Sequence, residues 1–92
     1  MGYIVNILPK AQEHLLAYKK AGNKVALVKI KRIIEELKIH PEVGIGNPKP
    51  LKHNYSGYLS RDIDKKNRMR YKITEYNLTV DVFSMMYHYE DK

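Results

Sequence analysis

Between positions 26 and 37 the apolar residues Ala26, Leu27, Ile30, Ile33, Ile34 and Leu37 recur at three- and four-residue steps, while Lys24, Lys31, Arg32, Glu35 and Glu36 largely occupy other faces. That period marks an amphipathic helix with one apolar stripe. Asn23 offers an N-cap side chain, and Gly22 suits the left-handed residue that ends a preceding helix. Segment 11–21 consists of good helix formers, with Ala11, Leu15 and Tyr18 on one side. A Gly-Asn turn makes the two helices antiparallel neighbours, and neither buries its stripe unless a sheet lies beneath. The rest of the chain must therefore supply that sheet.

Tyr3, Val5 and Ile7 alternate with Ile4, Asn6 and Leu8 before Pro9, which predicts a first strand buried on at least one face. His40 and Pro41 close the second helix. Gly44, Gly46, Pro48 and Pro50 then fall within seven residues, a density that forbids regular structure and marks a loop, ordered or mobile. Three strand-like runs follow at 57–63, 68–74 and 78–87, separated by Asp64-Lys65-Lys66-Asn67 and Glu75-Tyr76-Asn77, both of turn composition. Consecutive hairpins make an antiparallel meander. The expected fold class is α+β: a two-helix hairpin on a mainly antiparallel sheet of four or five strands, in β-α-α-β-β-β order, forming one domain over residues 1–92.

Charge narrows the function. Seventeen Lys and Arg stand against ten Asp and Glu, a formal charge of +7, which calls for an anionic partner: nucleic acid, an acidic protein or a membrane surface. The absence of Cys excludes a disulfide scaffold, a thiolate zinc site and a thiol nucleophile. No two of the four histidines have metal-ligand spacing, so no metal site and no cofactor are expected. No apolar run approaches the roughly 20 residues of a membrane span, and the first residues lack the pattern of a signal peptide. No membrane association and a cytoplasmic location are the expectations.

In the run 68–73, Met69, Tyr71 and Ile73 fall on one face and Arg68, Arg70 and Lys72 on the other. Tyr58, Ser60 and Arg61 are expected opposite them, with Lys49, Lys52 and His53 just before. Cations hold phosphate and aromatic faces stack on unpaired bases, so this mixture suits RNA. The same pattern also describes a solvated sheet face balanced by Asp62, Asp64, Glu75 and Asp81, and charge alone favours that second reading. His14, in a helix, and His40, at a helix end, are expected in surface or capping roles. His88, between Tyr87 and Tyr89, reads by itself as an ordinary edge histidine.

Taken in order, Gly44, Gly46, Pro48 and Pro50, then Leu51-Lys52-His53-Asn54, Ser56-Gly57-Tyr58, Ser60-Arg61, Asn67-Arg68 with Tyr71, and Tyr87-His88-Tyr89 closely resemble the YoeB/Txe toxin family of the RelE superfamily. The resemblance implies the toxin of a type II toxin-antitoxin system. Its activity would be that of an mRNA interferase, a ribosome-dependent endoribonuclease that inhibits translation by cutting mRNA in the ribosomal decoding site. Cleavage would proceed by 2′-hydroxyl attack without metal. A YefM-like antitoxin would neutralise it, and a homodimer is implied. His88 falls on the family's general acid, Tyr89 on the tyrosine that positions substrate, and Arg68 on the arginine that stabilises the scissile phosphate. Arg61 falls on a basic position expected to contact RNA, and Lys52 and His53 on residues lining the site. Arg70 and Tyr58 complete the expected RNA-binding set.

Three departures bear on catalysis. Lys49 stands where the family has its loop glutamate, the general base, and a free lysine with a pKa of about 10.4 accepts a proton poorly at neutral pH. His53 and Glu42 are the alternative acceptors, with Lys49 or His53 favoured. Family chains usually stop at or beside the tyrosine, whereas Glu90-Asp91-Lys92 follows Tyr89 here, and Asp62 replaces a second arginine. The alternative function is therefore a catalytically weakened ribosome- or antitoxin-binding protein of the same fold.

Overall fold

The computed structural model describes residues 2–51 and 57–86. Strand β1 (Ile4–Ile7) leads into helix α1 (Pro9–Lys20) and helix α2 (Lys24–Leu37). After the glycine-proline loop come β2 (Lys49–Pro50), β3 (Tyr58–Asp62), β4 (Arg68–Thr74), a 3-10 turn at Glu75–Asn77, and β5 (Thr79–Ser84). The five strands form one sheet in the order β1-β5-β4-β3-β2. Among the described residues only the β1–β5 pairing is parallel, because the chain crosses from one to the other through the helices and the meander.

The helical hairpin closes as its sequence requires. Asn23 caps α2 by accepting the Ala26 N–H at 3.1 Å, and Gly22 takes a left-handed φ of 66°. Ala26, Ile30, Ile33 and Leu37 are buried, with Leu27 and Ile34 packed at the margin. They meet Met69, Tyr71 and Ile73 of β4 and Val80 and Val82 of β5, the inward residues of a strict two-residue alternation. Each of the buried Ile and Leu side chains contributes on the order of 1.5–3 kcal/mol.

Several boundaries differ from the expectation. Helix α1 starts at Pro9, because proline is well suited to the first helical position, where its missing N–H costs nothing. Leu78 does not open β5; it holds φ 54° as the cap of the 3-10 turn. Among the described residues β5 ends at Ser84 rather than continuing. In β1 the burial is partial: Ile4 is 65% exposed, since an edge strand is covered on fewer sides than a central one. His14, expected at the surface, is only 7% exposed.

Candidate active site

Residues paired directly across antiparallel strands project to the same face. Lys49 pairs with Ser60, Ser60 with Arg70, and Arg70 with Ser84, so one row crosses β2, β3, β4 and β5. At the usual strand spacing the Lys49 and Arg70 backbones stand roughly 10 Å apart, within convergence of two long side chains on one phosphate. Arg68 lies two residues from Arg70 on the same face and pairs with Asp62. Its Nε sits 3.3 Å from Asp62 Oδ1, both side chains more than a third exposed.

Beyond this row lies an aromatic element. The pairing of β4 with β5 slips between Arg70 and Tyr71, leaving Phe83 as the extra residue of a bulge. The Phe83 ring meets Tyr58 edge-on, centroids 5.8 Å apart, and Lys72 Nζ lies 5.2 Å from the Tyr58 ring centroid. Arg70 donates to the Met86 carbonyl at 3.4 Å. Cations and ring faces thus share the side of the sheet opposite the helices. Phe83 was missed because an isolated Phe in a strand gives no sign that a bulge will turn it.

Arg61 is elsewhere. It is 0% exposed and pairs with Met69 on the helix side of the sheet, so the expectation that it contacts RNA is corrected. All five guanidinium N–H groups have an acceptor. Nε donates to the Tyr71 hydroxyl at 3.0 Å; Nη1 to Glu36 Oε1 at 2.6 Å and the Ile45 carbonyl at 3.3 Å; Nη2 to the His40 and Val43 carbonyls at 3.2 and 2.8 Å. Tyr71 donates onward to the Pro41 carbonyl at 2.9 Å, and Glu36 Oε1 also accepts the Ile45 N–H at 2.9 Å. The glycine-proline loop is therefore ordered from within. Gly44 is required there: its φ is 135°, and a Cβ would run into the Glu36 carboxylate. Partial burial pushes the Glu36 carboxyl up, but the Ile45 N–H and then the hydrogen bond and charge of Arg61 outweigh it and hold the group below its ordinary range. Glu36 carried no signal in the sequence, since its partner lies 25 residues away.

The three candidate bases separate. Lys49 is on the cationic row. Glu42 shares a surface groove with Gly57, Lys72, Thr74 and Glu75, near the far end of β4. Arg68 is at the opposite end of that strand, six residues or roughly 20 Å away. His53 lies outside the described residues, as do Lys52, His88 and Tyr89. The nearest described backbone to His88 along the chain is Met85–Met86. There Tyr18 and His14, four residues apart on α1, bond the Met85 carbonyl and N–H at 2.8 and 3.0 Å.

A family model described as the YoeB-like toxin of bacterial type II toxin-antitoxin systems matches residues 8–89. The toxin YoeB of Mycobacterium bovis is 39% identical over 85 residues, which span 92% of this chain and 96% of that protein. The YoeB dimer from Staphylococcus aureus aligns with a TM-score of 0.81 at 27% identity, over 95% of this chain and 98% of that one. A chain of the YoeB-YefM complex from the same species aligns at 0.78 and 28% identity, over 95% and 98%. The helical hairpin on a mixed sheet is thus similar to theirs across nearly its whole length.

Proposed function

This chain belongs to the YoeB-like toxins of bacterial type II toxin-antitoxin systems, and from that premise we propose that it is an endoribonuclease that cuts mRNA in the ribosomal decoding site. The observation that carries the reading is the row Lys49–Ser60–Arg70–Ser84, with Arg68 beside it and Tyr58 and Phe83 adjacent. A set of fixed cations next to aromatic faces binds a single-stranded phosphate and its base together.

In the proposed reaction a 2′-hydroxyl loses its proton to Lys49 in its neutral amine form, since an ammonium has no lone pair to accept one, and the hydroxyl oxygen attacks the neighbouring phosphorus. The new O–P bond gives a 2′,3′-cyclic phosphate as the P–O5′ bond breaks. Arg68 offsets the charge that builds on the phosphoryl oxygens, Tyr89 orients the substrate, and His88 gives its proton to the departing 5′ oxygen. Lys49 is preferred over Glu42 because Glu42 lies by the end of β4 remote from Arg68; His53, outside the described residues, stands as the alternative acceptor. The partner that neutralises the cations is a YefM-like antitoxin, and the toxin dimerises, both proposed on the likeness to the Staphylococcus aureus assemblies.

The test is cleavage of mRNA on programmed ribosomes. Arg68→Ala and His88→Ala each slow it by orders of magnitude while the protein stays folded; wild-type rates from both would refute the assignment. A binding-only reading draws on the Arg68–Asp62 ion pair, which competes with phosphate. Activity that appears in Lys49→Glu and is absent from the native chain would favour it.

A further inference from the structure

We propose that Arg61 is a positioning residue for cleavage: together with Glu36 and Tyr71 it holds the loop that places Lys49 on the cationic row. This rests on the nuclease reading above. Arg61 itself cannot touch RNA, being wholly buried on the helix side of the sheet. What it touches instead is the loop, through the carbonyls of His40, Val43 and Ile45, while Tyr71 takes that of Pro41. One residue along β3, the Asp62 N–H donates to the Gly46 carbonyl at 2.6 Å, which ties the end of the loop to the strand edge. Three residues after Gly46 the chain enters β2 at Lys49, opposite Ser60. The neighbours of Arg61 on β3 thus receive the loop on the strand edge, and its guanidinium receives it on the inner face.

Because a two-residue strand whose second residue is proline has little backbone ladder to fix it, the register of Lys49 depends on this anchorage. A lysine in place of Arg61 keeps the charge but offers three donors for five acceptors. Loosening of the loop by about an ångström is the scale of displacement that costs about a hundredfold in rate.

The variants are Tyr71→Phe, which removes one hydroxyl and preserves the ring, and Arg61→Lys. For each, kcat and KM on programmed ribosomes are measured across a salt series, together with hydrogen exchange of the Ile45 and Asp62 amides. Positioning predicts that kcat falls, by roughly a hundredfold for Arg61→Lys, while KM and its salt slope stay at wild-type values and both amides exchange faster. A direct phosphate contact predicts instead a raised KM and a salt slope reduced by about 0.7–0.9. A merely structural role predicts a lowered melting temperature with unchanged kcat per folded molecule. Either of those results overturns the proposal, as does unchanged exchange in Tyr71→Phe, which keeps the test open if Arg61→Lys fails to fold. A wild-type chain that cuts nothing refutes the nuclease reading and removes the reaction that Arg61 would serve; activity in the wild type with unaltered kcat in the variants refutes the positioning role alone.

Discussion

His14 accepts the backbone N–H of Met85 through Nδ1 at 3.0 Å, joining the first helix to the residue that follows the last strand. Tyr18, one turn later, donates its hydroxyl to the carbonyl of the same residue at 2.8 Å. Two side chains of α1 therefore satisfy both backbone polar groups of Met85, a buried residue that has left the sheet ladder. Tyr18→Phe is expected to cost about 1–3 kcal/mol by leaving that carbonyl without its donor, read as a shift in the urea midpoint. Burial, and secondarily the charge of Asp64, pushes the Tyr18 phenol well above its ordinary range, so the bond persists into alkaline solution where a free phenol would ionise.

Glu36 sets an acid limit on stability. Its carboxyl titrates below its ordinary value of 4.5 in the folded chain, so its contribution is complete above that value and is lost as pH falls through the lower, folded one. Glu36→Gln is expected to flatten the stability profile in that acid range. At pH 7 it leaves the buried Arg61 without its counter-charge and lowers stability by about 3 kcal/mol. Urea titrations of both proteins at several pH values check this; parallel curves would contradict it.

Asp62 pairs with Arg68, and under the proposed function it competes there with phosphate. Asp62→Asn is expected to tighten binding to programmed ribosomes and to steepen its salt dependence by up to about 0.9 in log–log slope. The melting temperature should hardly move, because an exposed ion pair contributes little. Binding isotherms at three salt concentrations decide it.

Gly44→Ala probes the loop. The positive φ and the collision with Glu36 predict a loss of about 1–3 kcal/mol and faster exchange of the Ile45 amide, which Glu36 accepts. A stable variant with native exchange would show that the loop tolerates another path.

The helical hairpin, the meander and the split of 68–74 into apolar and cationic faces were legible because each depends on a short sequence period. Asn23 capped its helix and Met69, Tyr71 and Ile73 went inward for that reason. The cations of the candidate site could be named as residues, and Arg68, Arg70 and Tyr58 do project to the same face of the sheet.

Arg61 and His14 were misread for one common reason. A charged or imidazole side chain looks like surface in a sequence, and it becomes interior only when partners from distant segments converge on it. Residues 36, 40, 43, 45 and 71 meet around Arg61. Local periodicity thus determined the helices, the longer strands and their faces, but not β2, which forms inside the glycine-proline loop where no regular structure was expected. Only the tertiary structure decided which polar groups lie inside, that Lys49 rather than Glu42 shares a row with Arg70, and that a buried guanidinium orders the loop, because the hydrogen bonds that compensate its burial span up to 25 residues.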